Sequence, residues 1–164
     1  MKKFLAWLLF VLVIYAIQSS FISLVYFHGI GPDMLLLMTG SVGFLKGKKL
    51  GAFYGFLFGL FQDIASGTFL GINAFTKLIA GYVCGIFSNR VLNDSFALPV
   101  AAAVLNTVAS FVAFEIIMML LGYRFNFLTH LQLKLGPLVC YNVVFAWPIH
   151  CAVRWLHNKT ADMK

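Results

Sequence analysis

The chain has 164 residues, of which 62% are hydrophobic and 10% are charged, and its mean hydropathy is +0.93. Soluble domains carry roughly 25% charged residues, so this composition excludes a soluble globular fold. The net charge of +7 is explained by membrane topology and contact with anionic membrane lipids, and we predict no nucleic-acid partner. No linker or long-period repeat divides the sequence, which predicts a single polytopic membrane domain over residues 1–164.

Six apolar segments follow one another along the chain. A helix of about 20 apolar residues crosses the hydrocarbon core, and shorter segments are possible where neighbouring helices shield them. The predicted spans are residues 4–26, 34–45, 50–64, 71–87, 96–121 and 135–156. We therefore predict an all-α integral membrane protein, a six-helix bundle in which the second and third helices are short.

Two parts of this assignment have alternatives. The second and third spans could form a re-entrant pair that only partly crosses the membrane. The basic turn at residues 46–49 is a good interfacial anchor and a poor buried turn, which favours two spans. The first span follows Lys2 and Lys3, as a signal peptide would, but its apolar run is too long and no small-residue cleavage site follows. It is predicted to be a retained helix.

Lysine and arginine are unevenly distributed among the predicted loops. Loops rich in these residues stay in the cytoplasm. With the N-terminus inside, the cytoplasmic positions are Lys2, Lys3, Lys46, Lys48, Lys49, Arg90, Arg154, Lys159 and Lys164, and the outer loops hold only Arg124 and Lys134. This distribution predicts that both termini are cytoplasmic. The outer loop at residues 124–133 mixes apolar and polar residues and is predicted to lie along the outer membrane surface.

Two neighbouring spans carry rows of small and polar residues at every fourth position. The row of the third span is Gly51, Gly55, Gly59 and Asp63, and that of the fourth is Asn73, Lys77, Gly81, Gly85 and Asn89. Removing side chains lets two helix backbones approach closely, whereas lipid tails need no such strip. We predict that the rows pack against each other or against a shared third helix, with Phe56 and Phe58 facing lipid. Between the spans, Gly67 suits a left-handed helix cap and Gly71 opens the next helix.

Charged residues within these spans need a physical explanation, because inserting one costs about 2.5–3.5 kcal/mol. Asp63 lies just before the predicted outer hairpin, and Lys77 lies in the following helix. One interpretation is an Asp63–Lys77 ion pair that stabilises the hairpin. An interfacial aspartate and a snorkelling lysine explain the same residues equally well.

Further polar residues are expected in the outer half of the membrane. They are Gln18, Asn73, Lys77, Glu115 and Asn142. Such a cluster can hold the helices together, form a docking surface for another membrane helix, or line an outward-facing cavity for a small ligand. The sequence favours the first two of these interpretations.

Residue patterns typical of enzymes and metal sites are absent from the sequence. Cys84, Cys140 and Cys151 lie far apart in apolar runs, have neither disulfide nor zinc spacing, and are predicted to be core residues. His150 is predicted to be buried and hydrogen-bonded. No nucleotide-binding loop, nucleophile elbow or pair of catalytic carboxylates is found. We predict no catalytic residue, no metal and no cofactor.

Residues 32–85 resemble the central signature of the rod shape-determining protein MreD family. The hallmarks are a Pro-Asp pair that opens the second helix, glycines around a basic turn, and an aspartate-containing hairpin followed by a Gly-Tyr helix. In this chain they are Pro32, Asp33, Gly47, Gly51, Gly55, Gly59, Asp63, Gly67, Gly71, Gly81 and Tyr82, and the matching stretch ends at Gly85. The resemblance covers about a third of the chain and says little about the last two spans.

The resemblance implies a component of the elongation machinery in the inner membrane of a rod-shaped bacterium. Such a protein is not an enzyme. Its implied partners are an MreC-like bitopic membrane protein, the actin-like MreB filament in the cytoplasm and the cell-wall synthases of the complex. The resemblance thus predicts a role in cell shape and in lateral peptidoglycan synthesis.

Two other functions remain as alternatives. The family's fold is similar to that of the substrate-binding subunits of energy-coupling-factor vitamin transporters, whose ligand cavity opens outward. A transporter subunit would explain the polar outer cluster, but the outer loops here are short or apolar. An intramembrane enzyme using Asp63, Lys77 and Glu115 for acid–base chemistry is the remaining alternative.

Overall fold

The computed structural model describes residues 2–25, 30–67, 69–88, 97–123 and 126–162. Over these residues the fold is all-helical. The helices are α1 (Lys2–Val25), α2 (Met34–Lys46), α3 (Lys48–Ser66), α4 (Ile72–Ile86), α5 (Ala97–Leu120), α6 (Phe127–His130) and α7 (Gly136–Asp162). A π-helical stretch, Leu131–Leu135, joins α6 to α7. Because α6 is a single turn, the described chain forms six longer helices.

The third helix is longer than predicted. α3 has 19 residues and a length of about 28 Å, whereas α2 has 13 residues and a length of about 20 Å. The basic residues Lys48 and Lys49 belong to the first turn of α3, because the turn between the two helices consists of Gly47 alone. Gly47 has φ +82° and ψ 175°, which favours glycine.

Among the described residues, two helical segments are long and apolar enough to cross a membrane on their own, Pro99–Leu120 and Leu131–Thr160. Three shorter apolar helices are Leu5–Ser20, Met34–Lys46 and Ile72–Ile86. The outer loop predicted at residues 124–133 contributes α6 and most of the π-helical stretch. Of the residues used in the predictions, Asn89, Arg90, Arg124 and Lys164 lie outside the described ranges.

α2 lies at the centre of the bundle. Its residues from Met34 to Phe44 are all buried, because α3, α4, α5 and α7 pack around it. This part of α2 is entirely uncharged, and Gly40 and Gly43 let the neighbouring helices come close. A helix enclosed by protein does not need the length that a lipid-exposed span requires.

α1 packs at the edge of the bundle through one stripe of residues. Trp7, Val11, Ile14 and Gln18 are buried and recur at helical spacing, so they share one face. The remaining face of α1 is apolar and exposed, as Leu5 and Leu9 show. This pattern is typical of a helix that has protein on one side and lipid on the other.

The antiparallel connections divide the bundle into two chemically different ends. At one end lie Gln18, Asp33, Asn73 and Glu115, and we call it the polar end. At the other end the start of α1, the end of α2 and the last turns of α7 come together, with Lys3, Lys46 and His157. We call this the basic end.

Candidate functional site

α3 and α4 pack with their backbones in contact. A Cβ atom added to Gly51 would lie 2.5 Å from the carbonyl oxygen of Gly81. At Gly55 and Gly59 an added Cβ would overlap backbone atoms of α4 even more closely. Real Cβ atoms do not approach other atoms to such distances, so any side chain at these positions would force the helices apart. The two glycine rows therefore face each other.

α2 completes this crossing as a third helix. A Cβ atom on Gly43 would lie 2.7 Å from the carbonyl oxygen of Gly81, and the Cγ2 atom of Thr39 would lie 2.8 Å from a Cβ on Gly55. The part of Thr39 and Gly43 in this crossing was not predicted from the sequence. The available signal was the spacing of Thr39, Gly43 and Gly47 at every fourth residue.

The prediction that Phe58 faces lipid is wrong. It is buried in the hydrophobic core with Trp7 and Val11 of α1, and its ring lies 5.9 Å from that of Tyr54. The side of α3 opposite α4 therefore packs on α1 near Phe58, while Phe53 is exposed.

Asp63 caps the N-terminus of α4 from the preceding helix. Its Oδ2 accepts hydrogen bonds from the backbone N–H groups of Gly71 (2.9 Å) and Ala74 (3.1 Å). Its Oδ1 accepts from the backbone N–H of Asn73 (3.1 Å) and from the Asn73 side chain (2.9 Å). The first N–H groups of a helix have no partner within the helix, and a negative charge is favourable there. The carboxylate thus fixes the α3–α4 hairpin.

The hairpin glycines make this cap possible. Gly67 ends α3 in the left-handed conformation expected for it, with φ +65° and ψ 19°. Gly71 precedes α4 with φ +109°, a backbone conformation that other residues rarely adopt. This turn directs the first N–H groups of α4 towards Asp63.

The ion pair of Lys77 is formed with Asp33, not with Asp63. The Lys77 Nζ atom lies 2.6 Å from Asp33 Oδ2, and its second polar neighbour, Asn73 Oδ1, is 3.5 Å away. The Lys77 side chain is only 2% exposed. The Asp63–Lys77 pair, one of the two interpretations, is therefore wrong, because all the acceptor capacity of Asp63 is directed at the start of α4. The alternative of a snorkelling lysine is wrong as well, because Lys77 is buried.

The N-terminus of α2 is held by the side chain of its own N-cap residue, Asp33, and by side chains from two other helices. Asp33 Oδ1 accepts a hydrogen bond from the backbone N–H of Leu36 at 2.9 Å. Gln18 Oε1 accepts from the N–H groups of Met34 (2.9 Å) and Leu35 (3.2 Å). Asn142 Oδ1 accepts from the N–H of Asp33 itself at 3.0 Å. α1 and α7 are therefore tied to the start of the buried helix α2.

The same contacts continue into α5. The side-chain N–H of Asn142 donates to Thr107 Oγ1 at 2.9 Å, and the Asn106 side chain donates to the carbonyl oxygen of Leu36. Asn106, Thr107 and Asn142 are all completely buried. Asn142 was predicted from the sequence to belong to a polar network, but Asn106 and Thr107, which lie in a mostly apolar helix, were not.

A cavity of about 470 Å³ lies at the polar end beside the Asp33–Lys77 pair. Glu115 of α5 and Lys134 of the π-helical stretch also line it, so two acids and two bases face the same space. The other polar lining residues are Gln18, Gln62, Asn73, Thr76 and Ser110. Most of the polar residues predicted for the outer half are thus gathered around one cavity, while Asn142 lies behind it, bound to Asp33.

The other predicted motif residues lie in different parts of the bundle. Tyr82 is exposed on the surface of α4, and Gly85 packs against the start of α3 near Lys48. Pro32 is buried and lines the cavity next to Asp33. Gly47 belongs to the α2–α3 turn at the opposite end of the bundle.

The cysteines and His150 are not part of the polar cluster. Cys84 is buried as predicted, but Cys140 and Cys151 are exposed on α7, because they lie on the outer face of a peripheral helix. His150 is buried, and its Nδ1 atom lies 3.2 Å from Ser41 Oγ. Within the described ranges, no three His, Cys, Asp or Glu side chains are grouped as metal ligands.

Substitution of Asp63 tests its role as a cap. In Asp63→Asn, an NH₂ group would replace one of the two carboxylate oxygens that accept hydrogen bonds from backbone N–H groups. Because two donors would then face each other, we expect a loss of about 1–3 kcal/mol in stability. Asp63→Ala leaves all the donors unsatisfied and is expected to be less stable still. Thermal unfolding of the detergent-purified proteins measures both. Ala65→Ser, an exposed change two residues away, is the control, and an Asp63→Ala protein as stable as the wild type would contradict the cap.

The family model for the rod shape-determining protein MreD matches residues 1–160. Comparison with curated proteins and with solved structures found no match, so the expected likeness to energy-coupling-factor subunits has no support. The family match and the apolar helices together indicate a multi-pass membrane protein. Because the match spans almost the whole chain, the protein belongs to the rod shape-determining MreD family, and this membership implies a role in rod shape determination.

Proposed function

We propose that the chain is a non-enzymatic membrane component of the bacterial rod complex that supports lateral peptidoglycan synthesis. The family match over residues 1–160 carries this proposal. In this proposal, the protein binds an MreC-like bitopic membrane protein and makes further contacts with the MreB filament and the wall synthases. The whole chain acts as a single membrane domain.

The geometry of the carboxylates supports a structural role over a catalytic one. Asp63 accepts four hydrogen bonds at the start of α4, and Asp33 both caps α2 and pairs with Lys77. A general base needs an available lone pair within reach of its substrate. The four hydrogen bonds leave Asp63 no such lone pair, and both side chains hold helix ends in place, as expected of a scaffold for other membrane proteins.

We further propose that the basic end faces the cytoplasm of the bacterial cell and that the polar end faces outward. Lys3, Lys46 and the C-terminal turns of α7 lie together at one end, which agrees with the rule that Lys-rich segments stay inside. Reporter fusions after Lys164 and in the α2–α3 turn are expected to report a cytoplasmic location for both. An external C-terminus would contradict this topology.

Affinity purification from membranes in mild detergent tests the proposed function. A C-terminally tagged chain is expected to co-isolate a one-span coiled-coil membrane protein and wall synthases, whereas an unrelated tagged six-span protein is not. Recovery of an ATPase module in their place would contradict the proposal. So would an Asp63→Asn protein that folds and retains its partners but fails completely to restore rod shape, because that result indicates a chemical role.

A second candidate function is a substrate-binding subunit of a vitamin-type energy-coupling-factor transporter. The cavity of about 470 Å³ at the polar end favours it, because small-ligand pockets have volumes of this order and a few convergent polar groups. Co-isolation of an ATPase module together with saturable binding of a vitamin would establish this alternative.

A further inference from the structure

A groove of about 620 Å³ opens at the basic end between α1 and α3. It exists because these two helices meet through bulky aromatic rings. The ring centroids of Trp7 and Tyr54 are 5.5 Å apart, and those of Tyr15 and Phe61 are 5.3 Å apart. The glycines of α3 face α4, so its large side chains are on the other side and keep α1 at a distance.

The wall of the groove is apolar, and its mouth is basic. Trp7, Leu8 and Val11 line it from α1, and α3 contributes Phe53, Leu57, Phe58 and Phe61. At the mouth are Lys3, Lys46 and His157, and the described lining residues include no acidic side chain. An apolar channel with cations at its opening is complementary to a lipid tail that carries a negative head group.

Lys46 is held at this mouth by two aromatic rings. Its Nζ atom lies 4.7 Å from the centre of the Trp7 ring and 5.0 Å from that of Tyr54. Such cation–π contacts restrain the position of an ammonium group while leaving its donors available. The positive charge is thereby fixed where the groove opens towards the membrane surface.

We propose that this groove binds one anionic phospholipid, with its phosphate at Lys3 and Lys46 and one acyl chain along the aromatic wall. A partner's transmembrane helix fits less well. A helix is about 10 Å across, which is wide for a groove between two helices that already meet through their aromatic rings. An acyl chain is thinner, and basic residues near the membrane surface attract anionic head groups. The inference requires membrane insertion but not the proposed partners.

Fluorescence quenching of Trp7 tests the proposal. Trp147→Phe and Trp155→Phe leave Trp7 as the single tryptophan of the full-length chain, which is reconstituted in phosphatidylcholine vesicles. Phosphatidylglycerol with brominated acyl chains is expected to quench Trp7 at an about tenfold lower mole fraction than brominated phosphatidylcholine, because of the lysine pair. Equal quenching by the two lipids would overturn the proposal.

Charge-matched variants separate this site from general attraction to the bilayer. The pair Lys3→Gln and Lys46→Gln is expected to abolish the preference for phosphatidylglycerol. The pair Lys48→Gln and Lys49→Gln removes the same charge from exposed positions outside the groove. This pair should leave the preference for phosphatidylglycerol unchanged. An equal loss in both pairs would mean that only the net charge matters, which contradicts a site.

Three further arms complete the test. Lys46→Arg keeps the charge and the ring contacts, so it should retain the preference. Soluble glycerol phosphate should not compete, and competition would indicate a phosphate site without a lipid tail. Loss of Trp7 quenching when the co-purified partner is present would assign the groove to a partner helix and overturn the proposal.

Discussion

Replacing Gly59 with leucine is expected to prevent the chain from accumulating as a folded protein. A Cβ atom at this position would overlap the backbone of Asn73 and Ala74, and a backbone held in a helix cannot move aside as a flexible side chain can. Overpacking in ordinary cores costs about 1–3 kcal/mol, and we expect the upper end of this range or more. The measurement is the amount and thermal stability of monodisperse protein in detergent.

The chain contains a matched control for this substitution. Gly136 begins α7, is exposed, and an added Cβ there would meet no atom within 4 Å. Gly136→Leu makes the same chemical change without a steric conflict, so it should leave expression and stability close to those of the wild type. Gly55→Leu should resemble Gly59→Leu. If Gly59→Leu and Gly136→Leu were equally stable, close packing of α3 on α4 would be wrong.

Replacing Asp33 with asparagine is expected to destabilise the protein by leaving Lys77 without a counter-charge. The ammonium group of Lys77 is almost completely buried and has Asp33 Oδ2 as its close partner at 2.6 Å. Removing one partner of a buried pair costs about 3–5 kcal/mol. Asparagine retains an oxygen that can cap the N–H of Leu36, so the loss reports mainly on the charge. Thermal unfolding in detergent measures the effect.

A double-mutant cycle identifies the partner of Lys77. Lys77→Met in the Asp33→Asn background removes the unpaired ammonium and should recover part of the lost stability, because the two side chains are in contact. Lys77→Met combined with Asp63→Asn should show no such recovery, since Asp63 bonds to α4 instead. If Lys77→Met restored stability in the Asp63→Asn background but not in the Asp33→Asn background, the ion pair between Asp33 and Lys77 would be contradicted.

Sequence periodicity was sufficient to find which helix faces carry small residues. Glycines at every fourth residue of α3 and α4 mark a face that only another backbone can fill, and this depends on local spacing alone. The composition likewise indicated a membrane protein, and the residues from Pro32 to Gly85 indicated the family, which the match over residues 1–160 confirms.

Periodicity also identified Asp63 as a residue of the hairpin, because Asp63 and Gly71 are close in sequence. It could not identify the partner of Lys77, since Asp33 is 44 residues away in sequence and Asp63 is much nearer. Spacing along a helix shows which residues share a face. It does not show which other helix covers that face.

The tertiary structure alone decided the position of α2. Its 13 residues are too few for an independent span, and only the packing of α3, α4, α5 and α7 around it explains how so short a helix is accommodated. The same packing brings Asn142 to the backbone of Asp33 across 109 residues and leaves α1 apart from α3 at the groove. These contacts depend on the order of the helices around the bundle, which is set by the sum of many weak packing contacts and is not encoded in any one segment.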